Sequence, residues 1–276
     1  MSLRNACWVS LLALLGLGAA AQAADGELTI GFVSPVTGNF AELGTAMRNG
    51  GQYAIDAVNA AGGLKVGAKT YTLKYVVGDT EGSAERAISA ARRLIEIDHV
   101  HAIIGYALAT DFLASMPLLQ DSKVPSIDTS GRADSIPERI AERSSVDFHM
   151  ANAITERREF SELTLPFFDG YKARWGFYPP FYAVQTYDGA LMLLDAIRRA
   201  KLTDDLVADR TAIRDGLASI DEQHPVTGAR GSLWFSSLET GRVVPIRKII
   251  TQYQPGNKTV IVWPLDQAGQ FIDPRK

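Results

Sequence analysis

Hydrophobic positions along this 276-residue chain alternate between two periods. Residues 28–33, "LTIGFV", are a continuous apolar run, as expected of a strand covered on both faces. From 41 to 60 apolar side chains recur at helical spacing (Leu43, Met47, Tyr53, Ala54, Ala57, Val58), and the glycines after Ala61 end the pattern. Asn39 or Thr37 stands where an N-cap belongs. "YTLKYVVGDT", 71–80, alternates and predicts a second strand. Ser83 then caps a helix to about Ile97, with Ala87, Ile88, Ala91, Leu94 and Ile95 on one face. "VHAIIG", 100–105, is a third strand, a helix over roughly 110–120 follows, and "VPSID", 124–128, is a fourth strand. Strand and helix alternating at this spacing require a parallel sheet flanked by helices, an α/β fold.

The pattern thins between Arg132 and Ser161, where "IPERIAER" suggests a helix and "SVDFHM" a strand. Helical periodicity returns in "ELTLPFFDGYKARWG", with Leu165, Phe168, Tyr171 and Trp175, and is interrupted by the prolines at 179–180. Two further helices are predicted, "YAVQTYDGALMLLDAIRRAK" and "LVADRTAIRDGLASI". The end changes character. "GSLWFSS", the turn "LETGR", "VVPIRKIITQY" and "KTVIVWP" read as antiparallel strands.

The first residues alter the picture, because they are predicted to be a leader rather than fold. Arg4, the apolar run "CWVSLLALLGLG" and the small-residue signal "AQA" at 21–23 form a secretory signal pattern with cleavage near Ala23. The only cysteine, Cys7, falls inside it, so the exported chain is expected to lack disulfide and thiol chemistry. An exported chain without cysteine fits a periplasm, with no membrane insertion after cleavage. A net charge of −3 excludes nucleic acid as the main partner, which needs a concentrated basic face. The arginines at 132, 139, 143, 157 and 158 are interleaved with glutamates and read as a solvated helix face.

Candidate chemistry is sparse. The expected mature chain contains no dinucleotide fingerprint, phosphate loop or nucleophile elbow, and no catalytic residue, cofactor or metal is predicted. His99 and His101 have the spacing of strand metal ligands, but no third ligand accompanies them, and a polar strand entry is the simpler reading. Asp79 and Glu81 are either an acid/base pair or a polar strand exit leading to a helix cap; the latter is preferred. The strand exits point to binding instead. In an open parallel sheet ligands sit beyond the carboxyl ends of the strands, here 34–40, 79–83, 105–110 and 128–132. Small hydroxyl residues followed by helix N-termini at several of these exits suit an anionic oxygen.

The segments "IGFVSPVTGNFAELGTAMRNGGQYAIDAVNAAGGL", "YVVGDTEGSAERAISAARRLI", "VHAIIGYALATDFLASMPLLQDSKVPSIDTSG" and "FFDGYKARWGFYPPFYAVQTYDGALMLLDAI" resemble the periplasmic branched-chain amino-acid-binding proteins. These are the substrate-binding components of ABC transporters, with the type I periplasmic-binding fold. The segment "VTGARGSLWFSSLETGRVVPIRKIITQYQPGNKTVIVWP" resembles their closing part. The resemblance implies two hinged lobes that close on a small amino acid or organic acid, delivered to an ABC transporter permease. It also implies a carboxylate contact after the third strand, which falls on Ala109 with Thr110 beside it, and a second after the fourth strand, on Thr129, Ser130 and Gly131. Leu43 stands where an aromatic often covers the ligand, and Tyr182, next to Phe181, is a cleft aromatic.

By the same resemblance the chain divides into a signal peptide, 1–23; the N-terminal part of lobe 1, 24–140; a remnant of lobe 2, 141–160; the C-terminal part of lobe 1, 161–225; and closing strands of lobe 2, 226–276. The interval that normally holds a complete second lobe has only about thirty residues, too few for several β-α units. An internal deletion joined near Arg143 and Ser144 is expected. A sensor module of the same fold and a truncated relic without function are the alternatives; an enzyme is not expected.

Overall fold

The computed structural model describes residues 24–129, 160–203 and 205–235, and the strand backbones at 147–149, 243–244, 250–254 and 258–263. Strand β1 (Gly26–Ser34) leads through a 3-10 turn (Gly38–Phe40) into helix α1 (Ala41–Ala60). A short hairpin, β2 (Leu64–Val66) and β3 (Lys69–Asp79), precedes α2 (Ala84–Glu96), β4 (Ala102–Gly105), α3 (Ala109–Asp121), β5 (Ser126–Asp128) and β6 (Asp147–His149). Three helices follow, α4 (Thr164–Trp175), α5 (Phe181–Arg199) and α6 (Leu206–Ala218). The last described elements are β7 (Val226–Gly228), β8 (Gly231–Phe235), β9 (Val243–Val244), β10 (Ile250–Gln254) and β11 (Lys258–Trp263).

The main sheet has six strands in the order β2-β3-β1-β4-β5-β6. Only β2 runs antiparallel, against β3; β1, β3, β4, β5 and β6 are parallel. Because β1 is paired on both edges and covered on both faces, it needs an uninterrupted apolar run, and every residue from Leu28 onward is buried. Its side chains alternate between two cores. Leu28, Ile30 and Phe32 join the cluster that contains α1, α4 and α5. Val33 joins Ile103, Leu94, Phe112 and Met116 on the opposite side, with α2 and α3. Each fully buried side chain of this size contributes roughly 1.5–3 kcal/mol.

Helix α5 lies deepest. Its residues from Ala183 to Ala190 are buried consecutively, as in a helix packed on all sides. Close approach to its neighbours depends on glycine. A Cβ at Gly50 of α1 would stand 2.1 Å from the Ala183 carbonyl oxygen, and one at Gly216 of α6 would stand 2.3 Å from the Ala196 carbonyl oxygen. Phe167 of α4 stacks on Tyr187 of α5 with ring centroids 3.9 Å apart, and Tyr53 of α1 meets both rings edge-on. Helix α4 stops at Gly176, which takes the left-handed conformation that glycine accepts without a Cβ penalty.

A helix buried all round must satisfy its polar groups internally. Asp188 of α5 is fully buried; it accepts the Ala229 backbone N–H at 2.6 Å and the Arg230 Nε–H at 2.7 Å, both in the β7–β8 turn. Burial pushes the Asp188 carboxyl up from its ordinary range, and Arg230 acts against that shift. At the opposite end of the sheet, Arg210 of α6 donates to the Val100 carbonyl from Nε and Nη2 (3.0 and 2.9 Å) and to the Ser122 carbonyl from Nη1 (3.2 Å). His101 Nδ1 accepts the Thr29 N–H at 3.1 Å, so the ring is neutral in this bond. Burial holds its pKa below the ordinary histidine value.

The parallel α/β sheet follows the sequence pattern closely, with three differences. The hairpin strand β2 was too short to register as a period. Ser83 occupies the N-cap of α2, but its hydroxyl makes no cap bond there. Neither Thr37 nor Asn39 caps α1; the 3-10 turn intervenes, Phe40 takes the N-cap position, and the Thr37 hydroxyl is captured by Asp79. A strand does form within "SVDFHM". The leader, the helix expected in "IPERIAER", the Arg143–Ser144 join and the "LETGR" turn lie outside the described residues. Among the described residues, no helix is long and apolar enough to cross a membrane.

Two outcomes follow from this packing. Arg230→Met strands a buried carboxylate and should cost about 3–5 kcal/mol in urea unfolding, while Asp188→Leu combined with Arg230→Met should recover much of the loss. Unchanged stability in Arg230→Met would show that the pair holds nothing. His101 sets a pH dependence. Its folded pKa is depressed, so its contribution is fully present above the unfolded value of about 6.5 and is lost as pH falls from there through the folded value. Thermal unfolding should weaken across that window in the parent chain, and less so in His101→Gln, which keeps an acceptor for Thr29.

Candidate ligand-binding site

The parallel register brings the ends of four elements to one edge. Ser34 of β1 lies opposite Asp79 of β3, Val33 opposite Gly105 of β4, and Gly105 opposite Asp128 of β5. This is the crevice that an open α/β sheet presents at its carboxyl side.

Asp79 organises the first two exits. Its Oδ1 accepts N–H groups from Val36 (2.9 Å), Glu81 (2.9 Å) and Thr37 (3.4 Å), and its Oδ2 accepts the Thr37 hydroxyl at 2.5 Å. Burial opposes the charge, but the Thr37 hydroxyl and the three N–H groups outweigh it and hold the carboxyl below its ordinary value. Glu81, with a positive φ, pairs with Arg86 at 2.6 Å. The two acids therefore face separate partners, and Asp79 is the polar strand exit that the sequence favoured, holding two loops together rather than capping a helix.

At the third exit the chain turns sharply. Gly105 has φ +132, and a Cβ there would stand 2.6 Å from the Val33 carbonyl oxygen, so glycine is required. Tyr106 N–H returns to that carbonyl at 2.5 Å, and Ala107 N–H donates to Ser34 Oγ at 3.2 Å. Helix α3 begins two residues later. Ala109 is half-buried and Thr110 exposed in its first turn. Asp111 is buried, accepting the Thr80 hydroxyl at 2.8 Å and the Thr110 hydroxyl at 3.4 Å. Burial raises its pKa, and the two hydroxyls act in the opposite sense. Sequence reasoning passed over Asp111. The available signal was an acid in the first turn of a helix just after a strand, which is also an ordinary dipole preference.

At the fourth exit Thr129 is fully buried. Its N–H and its hydroxyl both donate to the Gly105 carbonyl, at 2.8 and 3.0 Å, and the hydroxyl also meets that of Thr186 of α5 at 3.2 Å. The single proton of the Thr186 hydroxyl is shared between the Tyr182 carbonyl, at 3.0 Å, and Thr129. Thr129 and the Tyr182 turn are thus joined through α5, with the Tyr182 ring half-buried against Phe181 at a centroid distance of 3.6 Å. Leu43 is half-buried on α1 against the main core. Ser130 and Gly131 lie outside the described residues.

Two hollows border this edge. One, of about 270 Å³, runs between the start of α1 and the α4–α5 link, lined by Glu42, Thr45, Ala46, Phe177 and Pro180. The other, of about 380 Å³, lies between β3 and α2, with Asp79, Arg86, Ser89 and Arg93 among its walls. Neither includes Ala109, Thr110 or Thr129. His99 is exposed with a positive φ, and the His101 Nδ1 is taken by Thr29, so the histidine pair does not present two free ligands.

Comparison with known proteins places this edge in context. The family model of the periplasmic binding proteins matches residues 27–152. The Leu/Ile/Val-binding protein homolog 3 of Brucella melitensis is 32% identical over 105 residues, covering 38% of this chain and 26% of that protein. The leucine-, isoleucine-, valine-, threonine- and alanine-binding protein of Pseudomonas aeruginosa is 29% identical over 128 residues, covering 46% of this chain and 33% of that protein. The matched segments thus span about a third or less of these relatives' length. Among solved structures, the branched-chain amino acid transporter substrate-binding protein LivJ of Streptococcus pneumoniae, in complex with isoleucine, superposes with a TM-score of 0.66 at 17% identity, over 86% of this chain and 99% of that one. An ABC transporter substrate-binding protein of Desulfitobacterium hafniense in complex with Leu gives a TM-score of 0.66 at 13% identity, over 85% of this chain and 99% of that one. Residues 27–152 are thus similar to the periplasmic binding protein family, and the chain has the type I periplasmic-binding fold of the structures it superposes on.

Proposed function

We propose that this chain is the solute-binding component of an ABC transporter, exported to the periplasm, where it seats a branched-chain or other amino acid, or a related small organic acid, and presents it to a permease. The observation that carries this reading is the convergence of four parallel-strand exits on one edge of a periplasmic-binding fold. There, Asp79 and the Gly105–Thr129–Thr186 chain of hydrogen bonds hold the loops in place. The ligand wall would comprise Leu43, Ala109 and Thr110 from the first lobe, Thr129, Ser130 and Gly131 after the fourth strand, and the Tyr182 ring. The first lobe is read as 24–140 with 161–225, and the reduced second lobe as 141–160 with 226–276, preceded by a signal peptide, 1–23.

The reduced second lobe has a physical consequence. A two-lobed clamp gains affinity by burying its ligand on both sides and expelling water. A wall with little opposite it leaves one ligand face wet. The exported chain should therefore bind members of a panel of amino acids and small aromatic acids with dissociation constants weaker than about 1 µM, measurable by calorimetry or by amide chemical-shift titration. No shift at the strand exits with any member would remove the solute-binding reading. Submicromolar binding by the monomer would instead show that the second wall is functionally complete.

A further inference from the structure

Strand β3 stays paired with β1 as far as Asp79, but most of its other side has no strand beside it. The short β2 pairs only with residues 69–71. Along a strand the backbone groups of alternate residues point to the same edge. Leu73 and Val77 show which residues face outward. The Asn59 side chain donates to the Leu73 carbonyl at 2.8 Å and accepts its N–H at 2.9 Å, so it stands in for one residue of a missing strand. Arg93 Nη2 donates to the Val77 carbonyl at 3.4 Å. Tyr75, between them, faces the same way. Among the described residues nothing bonds its N–H, its carbonyl or the Val77 N–H. Such a bare row of donors and acceptors is a template for another extended chain.

A hollow of about 380 Å³ runs beside this row, and Val77, Gly78, Arg86, Ser89, Ala90 and Arg93 are among its walls. Val76 and Gly78 face this side of the sheet, toward α2. Cross-strand neighbours point to the same face. On an added strand, the residues opposite Gly78 and Val76 would therefore send their side chains into the hollow. Those two side chains are about 7 Å apart, and Arg86 and Arg93, two turns apart on α2, are separated by about 10 Å. Both arginines are exposed. Arg86 pairs with Glu81 and Arg93 with Asp98, which leaves each guanidinium further donors.

We propose that the open edge of β3 is a docking strip for an extended acidic segment of a partner protein, which adds as a further strand and sets acidic side chains at alternate positions between Arg86 and Arg93. A second copy of this chain fits the strip less well. In the antiparallel register that pairs Tyr75 of each copy with Val77 of the other, Lys74 lies opposite Gly78 and brings a third cation to the two arginines. The hollow includes none of Ala109, Thr110 and Thr129, so this proposal stands apart from solute binding.

The test titrates the full exported chain with the end-blocked peptide Thr-Val-Glu-Val-Glu-Val-Thr, read by amide hydrogen exchange and chemical shifts. In the free chain the Tyr75 and Val77 amides should exchange faster than those of Val76 and Gly78, which face β1. Peptide at about 1 mM should slow Tyr75 and Val77 by at least about tenfold. Glutamine in place of both glutamates should weaken binding about tenfold, and lysine should abolish it. N-methylation of the three valines, whose N–H groups face β3 in this register, should abolish protection as well. Arg86→Gln combined with Arg93→Gln should reproduce the glutamine-peptide loss. No protection by the parent peptide, equal binding of the glutamine or lysine peptide, full binding of the N-methylated peptide, or an unaffected double variant would each overturn the proposal. Protection of Tyr75 and Val77 without peptide also overturns it, and a dimer in sedimentation then assigns the edge to a second copy.

Discussion

The burial of helix α5 on all sides is the constraint on which the rest of this molecule depends. The helix begins after the interval that separates the two halves of the described chain, yet it packs into the core built by the first half. Gly50 lets α1 approach its backbone, and Gly216 does the same for α6. In a helix so enclosed each unmatched polar group costs its full desolvation. Its internal polar residues therefore become connectors. Asp188 reaches Ala229 and Arg230 beside the closing strands, and Thr186 reaches Thr129 at the sheet edge.

This arrangement ties the strand exits to one another and to α5. The fourth strand exit is tied to α5 through two threonines, and the first two exits are tied to each other through Asp79. The same hydrogen bonds hold the loops of the edge in place. Preorganisation lowers the cost of binding, but it restricts which ligand groups can still be satisfied.

Much of the fold was legible in the sequence because buried parallel strands and amphipathic helices impose periods that few other structures share. "LTIGFV" and "VHAIIG" are apolar without alternation, as strands covered on both faces must be, and both form strands. The helix from 41 to 60 matches α1 in full. Where the reading erred, the cause was local competition. Thr37 and Ser83 are good caps by type, but capping is decided by which acceptor or donor lies nearest, and Asp79 reaches Thr37 first.

The sequence alone determined the order of elements, the parallel sheet and the edge on which the strand exits converge, because these follow from periodicity, turn chemistry and the handed connection of strand to helix. Only the tertiary structure decided what the site residues can do. It placed the Thr129 hydroxyl in the interior and Thr110 at the surface, and it brought Asp111 to Thr80 across 31 residues of chain. A hydroxyl reads the same in any sequence; which neighbour it meets is supplied only by folding.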